Sequence, residues 1–168
     1  MKIEIVKDDN HEYDDEIYSL IVKAFKQDNE AKLVNNIKEF SDFYISYIAF
    51  VDGQLAGNVV ISPMLLNGQR DVLCLAPVSV LEKYQNTGIG TSLIKKAISQ
   101  AMTHHEYKFI TVLGSEHYYQ RFGFEPYNPH KYQLPFDIED RYFQILDIEK
   151  DASKNLAGQL DYPSYFVL

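Results

Sequence analysis

The chain has 168 residues, enough for one well-buried core and short for two, so a single domain over residues 1–168 is expected. With 46% hydrophobic and 24% charged residues and no low-complexity run, it is neither disordered nor fibrous. The net charge of −8 argues against nucleic acid as a partner, because nonspecific affinity there draws on clustered Lys and Arg. No apolar run approaches the ~18 residues that cross a bilayer. The start, MKIEIVKDDN, lacks the apolar stretch of a signal peptide, so a cytoplasmic protein without a membrane partner is expected. The single cysteine, Cys74, excludes an internal disulfide and a Cys-rich zinc site, and the five histidines show no metal-ligand spacing. No metal is expected.

In chain order, residues 2–6 alternate as a strand, and residues 14–27 place Ile17, Leu20, Ile21, Ala24 and Phe25 at helical spacing. A second helix is expected over 31–40, with Leu33, Val34, Ile37 and Phe40 on one face and Asp28 or Asn29 as cap. Residues 43–81 then read as three strands broken by Asp52-Gly53 and Asn67-Gly68, dipeptides that accept the positive φ of tight hairpins. The third strand, 71–81, is apolar on both faces, as a central strand is. It nevertheless contains Pro77, which cannot donate to a ladder and marks a bulge or a lapse in pairing.

A helix over 88–104 follows, with Ile89, Leu93, Ala97 and Ala101 inward, broadened by Ile94 and Ile98. It leads to a buried strand at 107–114, and a helix between two strands makes them parallel neighbours. A short helix over 115–123 stops at Gly123, an aromatic loop runs from 126 to 140, and 141–149 forms another strand. The tail GQLDYPSYFVL supplies one more edge or closing piece. The sum is an α+β (mixed α/β) fold, a sheet of about six or seven strands, mostly antiparallel with one parallel pair, flanked by about four helices.

The stretch EKYQNTGIGTSLIKK, 82–96, joins a strand to a helix. The first N–H groups of a helix have no intrahelical partners and carry the positive end of its dipole, so such a turn can hold an anion. Gly88 and Gly90 let the backbone come close to it, and Gln85, Asn86, Thr87, Thr91 and Ser92 add neutral donors. Such fixed donors act despite the net negative charge, which salt screens over ~8 Å. A compact connection with no ligand explains the same two glycines. The sequence has no P-loop, and Leu93 stands where a dinucleotide turn has its third glycine.

Two segments together resemble the GCN5-related N-acetyltransferase (GNAT) family. Gln85-Asn86-Thr87-Gly88-Ile89-Gly90 is similar to its acyl-CoA motif, and YYQRFGF, 118–124, to the Tyr-x-x-x-Gly-Phe element that follows. The element order matches that fold over the whole chain. The closing GQLDYPSYF is similar to the tail of a YhbS-like subgroup. Glu82 departs from a frequent proline, and Ser115-Glu116 from a frequent Asp-Pro pair; neither removes a backbone donor from the turn.

The resemblance implies acetyl-CoA as cosubstrate. Its pyrophosphate would lie on residues 85–91, with Ile89 among them. The pantetheine arm would lie along main-chain groups of Val78, Ser79 and Val80, where the parallel pair splays. The chemistry is attack of a neutral amine on a thioester, and the departing thiolate, whose conjugate acid sits near ~8.5, takes a proton from a phenol near ~10. Tyr119, four residues before Gly123, is the matching position, with Tyr118 as the alternate; packing on the core is the competing role. Arg121 either meets a cofactor phosphate or solvates its helix. Glu82, Glu116 and His117 lie nearby as ordinary surface residues, and no general base stands out. Cys74, mid-strand and without an adjacent His or cation, reads as a buried thiol.

The leading reading is an N-acyltransferase that uses acetyl-CoA on a primary amine. The alternatives are a CoA-binding or sensory module without transfer and an interaction domain without a ligand. The acceptor is a small-molecule or peptide amine of open identity, and the C-terminal strands are a candidate homodimer contact.

Overall fold

The structure, a computed structural model, describes residues 1–166. Among these are nine strands and five α-helices, more than the six or seven strands and about four helices expected. The additions are short: two two-residue strands and one four-residue helix, in the region expected as loop and tail. The chain forms two compact units, which β3 and β4 both enter.

The first unit holds Met1–Ser62, Ala76–Ala101 and the described residues from 164. Strand β1 (Ile3–Lys7) pairs antiparallel with β2 (Ile45–Val51), and β2 with the first part of β3 (Gln54–Leu66). At the β2 to β3 reversal Asp52 and Gly53 take φ of 48° and 83°, the positive pair a tight hairpin demands. Helix α1 (Asp14–Phe25) buries Ile17, Leu20 and Ile21, carries three acids in its first turn, and stops where Lys26 turns left-handed. Helix α2 (Asn29–Phe40) buries Ala31, Leu33, Val34 and Ile37. Asp28 occupies its N-cap position but makes no side-chain cap bond; its carboxylate pairs with Lys32 at 3.0 Å instead. Helix α3 (Ile89–Ala101) buries the expected face of Ile89, Leu93, Ile94, Ala97 and Ala101 and packs on β2 and β1. It ends three residues before the expected His104.

The second unit holds Pro63–Leu75 and Met102–Pro163. Its hairpin joins the end of β3 to the start of β4 (Gln69–Val80) through Asn67 and Gly68 at φ of 52° and 79°. Strand β4 pairs parallel with β5 (Phe109–Leu113), Leu73 to Ile110 and Cys74 to Thr111, and that ladder ends three residues before Pro77. The Ala76–Pro77 peptide bond is cis. Antiparallel pairing continues from β5 to β8 (Phe143–Asp147), and from β8 to β6 (Glu125–Pro126). The tail supplies β9 (Gly158–Asp161), antiparallel to β3 and parallel to β7 (Tyr132–Gln133), which adds a second, short parallel pairing; Val167 and Leu168 lie outside the described residues. The closing strand is latched by Asn67, whose Nδ2 donates to the Ala157 carbonyl at 3.0 Å and whose Oδ1 accepts from the Gln159 N–H at 2.9 Å. Two short helices, α4 (Glu116–Tyr119) and α5 (Ala152–Asn155), complete the unit, whose core centres on Phe109, Phe124, Tyr132 and Phe143. Cys74 is buried, and among the described residues no helix is long and apolar enough to cross a membrane.

One ionic cluster ties α1 and α2 to the sheet of the first unit. The Lys38 ammonium, 4% exposed, sits 2.7 Å from Asp8 and 2.6 Å from Asp14, while Ser46 Oγ donates to Asp8 at 2.7 Å. Burial alone would lower the Lys38 pKa, but its bonds to Asp14 and Asp8 outweigh that and raise it. Burial likewise raises Asp14, and the bonds from Lys38 and His11 outweigh it, so its pKa is lowered. The raised Lys38 contributes stability below its ordinary value near 10.5 that is lost as pH climbs through the higher folded value. The lowered Asp14 contributes stability above 3.8 that is lost as pH falls through the lower folded value. Lys38→Met therefore strands the buried Asp8 carboxylate and costs about 3–5 kcal/mol at neutral pH. Urea unfolding measures this; a loss under about 1 kcal/mol, the level of an exposed pair, would contradict the assignment.

Candidate active site

The residues singled out in the sequence fall in two groups, one in each unit. In the first unit, β4 ends at Val80 and its direction is held by the Leu81 N–H, which donates to the Ala56 carbonyl at 2.9 Å. A 3-10 turn over Glu82–Tyr84 follows. Gln85 then uses its side-chain amide to donate to the Val80 carbonyl at 3.1 Å, and Thr87 Oγ1 donates to the Tyr84 carbonyl. Both side chains therefore shape the turn from within. Asn86 and Gly88 adopt φ of 62° and 89°. A Cβ on Gly88 would meet nothing within 4 Å, so backbone conformation, not space, calls for glycine there.

Helix α3 starts directly behind this turn, its first i→i−4 bond running from the Ser92 N–H to the Gly88 carbonyl at 3.0 Å. The N–H groups of Ile89 and Gly90 precede that bond and have no carbonyl to meet inside the helix. Residues 85–88 are exposed and Ile89 is buried, so the helix is anchored while the turn ahead of it faces solvent. No acidic residue stands between 85 and 91.

Of the β4 positions, Val78 and Val80 are half-buried and Ser79 is buried, its hydroxyl donating to Asn58 Oδ1. The Asn58 amide nitrogen has no partner among the described residues. Gly57, beside it on β3, was missed in the sequence. A Cβ at 57 would stand 2.9 Å from the Ser79 carbonyl and 3.0 Å from the Leu93 side chain, so this glycine lets α3 close onto the sheet. The available signal was an isolated glycine inside a strand pattern.

In the second unit, Ser115 caps α4, its Oγ accepting from the Tyr118 N–H at 3.3 Å. A 3-10 turn over Gln120–Phe122 carries the chain to Gly123, whose φ of 97° makes the stop expected there. Tyr118 and Tyr119 are half-buried, with ring centroids 5.0 Å apart and nearly perpendicular. Burial, with a smaller contribution from Tyr118, pushes the Tyr119 phenol up to about 12. Arg121 lies over the Tyr118 ring at 4.4 Å and donates from Nε to the Tyr118 carbonyl at 2.9 Å. Glu82 and His117 are exposed and Glu116 is half-buried, which leaves the general base unassigned.

Comparison with known proteins gives these groups a common context. The profile of the Acetyltransferase (GNAT) family matches residues 8–124, which takes in the turn and both tyrosines. The N-acetyltransferase YhbS of Escherichia coli K12, itself uncharacterised, is 29% identical over 152 residues, 89% of this chain and 90% of YhbS. The crystal structure of Escherichia coli YhbS in complex with CoA superposes with a TM-score of 0.87 at 26% identity, covering 99% of this chain and 92% of that one. A GNAT family acetyltransferase from Brucella melitensis, solved in complex with acetyl-CoA, gives a TM-score of 0.80 at 27% identity over 98% of each chain. The mixed, mostly antiparallel sheet, the glycine turn ahead of α3 and the family match through Phe124 agree: this chain is an acetyltransferase and belongs to the GNAT family.

Proposed function

We propose that the chain transfers the acetyl group of acetyl-CoA directly to a primary amine, with residues 1–168 forming a single acetyltransferase domain. The observation that carries this reading is the turn over 85–91, exposed at 85–88, where left-handed Asn86 and Gly88 lead into the first N–H groups of α3 and no acidic residue stands in the sequence. That donor set fits a pyrophosphate. The relatives solved with CoA and acetyl-CoA support it.

In this reading the backbone of Asn86, Gly88, Ile89, Gly90 and Thr91 holds the pyrophosphate, and main-chain groups of Val78, Ser79 and Val80 align the pantetheine arm. Gln85 and Thr87 keep the turn in shape through their bonds to Val80 and Tyr84. When bound, acetyl-CoA supplies the activated carbonyl. A new C–N bond forms as the C–S bond breaks, the amine proton leaves to water or a base, and Tyr119 gives its proton to the sulfur. A phenol at about 12 is fully protonated at neutral pH. Burial disfavours a thiolate beside it just as it disfavours the phenolate, so the donor and the sulfur shift together. Arg121, stacked on Tyr118, supports the Tyr118 side of this helix.

Acetyl-CoA at about 100 times its Kd is expected to stabilise the protein by about 2.7 kcal/mol, seen as a higher melting temperature. Gly90→Glu, which puts a carboxylate on the first turn, abolishes the shift; a wild-type protein whose melting temperature ignores acetyl-CoA would remove the cofactor assignment. A panel of amines assayed by thiol release identifies the acceptor class.

With a competent amine, Tyr119→Phe lowers kcat on the order of 10²-fold while KM for acetyl-CoA stays within about twofold. The acid form of Tyr119 is the active one, so the Tyr119-dependent part of turnover is expected to persist through pH 10 and to fall as pH nears about 12. Unchanged turnover in Tyr119→Phe would exclude Tyr119 as the acid.

A further inference from the structure

Gly114 closes β5 at the point where the chain turns toward α4, and its backbone is tied at both ends. Its N–H donates to the Tyr142 carbonyl at 2.8 Å, and its carbonyl accepts from Gln144 Nε2 at 3.1 Å. Gln144 is 0% exposed, between the apolar Phe143 and Ile145 on β8. Its orientation is fixed, because the Gly114 carbonyl can only accept and the amide nitrogen must face it. That leaves Oε1 buried without a partner among the described residues. An unmet buried acceptor is costly, and a leucine here would avoid it. What the glutamine provides in return is the bond to Gly114.

The space above Gly114 belongs to Tyr119. A Cβ at position 114 would stand 2.6 Å from Cε2, 3.2 Å from Cδ2 and 3.6 Å from Cζ of that ring. The backbone of Gly114 is in an ordinary conformation, so the glycine answers to the ring and not to φ. Around the ring stand Tyr118 at 5.0 Å, Phe124 at 5.9 Å and Phe122 at 6.2 Å between centroids. The three aromatics bound its sides, and Gly114 forms the floor.

We propose that Gly114 and Gln144 are positioning residues for the Tyr119 phenol: Gln144 clamps the Gly114 carbonyl, and the bare Gly114 backbone seats the ring at a fixed height. The inference rests on the reading of Tyr119 as the proton donor. Burial raises the phenol, and among the described residues Tyr118 adds to it.

Gly114→Ala puts a methyl group where the ring lies, so the ring must move. Gln144→Met removes the clamp at similar volume and serves where Gly114→Ala folds poorly. Each is expected to lower kcat about tenfold or more while the acetyl-CoA thermal shift stays at the wild-type value. In a Tyr119→Phe background neither lowers kcat further, because residues acting as one unit are not additive. Tyrosine-selective carbon NMR, with the Tyr119 resonance assigned by its loss in Tyr119→Phe, gives a readout independent of turnover. The Tyr119 phenol titrates closer to 10 in Gly114→Ala than in the wild type. Wild-type kcat and an unmoved Tyr119 titration in both variants would overturn the proposal, as would an equal fractional loss of kcat with and without the phenol. If Tyr119→Phe itself turns over like the wild type, the assignment of the acid fails while the titration still decides whether the seat exists.

Discussion

Helix α3 can lie against the sheet of the first unit only because residue 57 has no side chain. Any Cβ there would meet the Ser79 carbonyl and the Leu93 side chain at about 3 Å, and backbone does not yield to such a contact. The neighbouring Ala56 carbonyl holds the Leu81 N–H, so two adjacent residues of β3 fix both the end of β4 and the depth of α3. The turn over 85–91 spans those two fixed points. The helix behind it is anchored by Ile89 and Leu93, both buried, while residues 85–88 are exposed.

The second unit uses the same device. Gly57 lies within β3 and Gly114 just past the end of β5, neither with a positive φ, and in each case the missing side chain makes room for a particular neighbour: a helix in one unit, an aromatic ring in the other. Glycines of this kind differ from Gly53, Gly68 and Gly88, whose positive φ values mark reversals and around which a Cβ would find open space. One group shapes the path of the chain, while the other sets how closely its parts approach.

This distinction explains what could be read from the sequence. Hairpin glycines announce themselves through the preceding Asp52 or Asn67, and the inward face of α3 through its 3.6-residue period, so the meander and the crossover were legible. The turn and the YYQRFGF element were legible as a family pattern. Gly57 and Gly114 were not: what Gly57 accommodates comes from segments tens of residues away, and the Tyr119 ring reaches Gly114 only through the turn between β5 and α4, which no periodicity announces. The two-residue strands β6 and β7 escaped for a related reason: they exist through partners on β8 and β9, with too little local pattern to declare them. Arg121 and Gln85 carried a family role in the sequence, and the structure adds local duties, one on the Tyr118 ring and one on the Val80 carbonyl.

The two hairpin turns also do more than reverse the chain. Asp52 accepts the Lys2 N–H on its side chain at 2.9 Å, 50 residues away, and Asn67 grips the Ala157 carbonyl and the Gln159 N–H across 90 and 92 residues. A glycine at either position would satisfy the dihedral angles of the reversal equally well, yet it would lose these side-chain bonds. The choice of Asp and Asn at these corners therefore carries long-range information about where the chain begins and ends its sheet, and a loop graft that copies only the turn type would discard it.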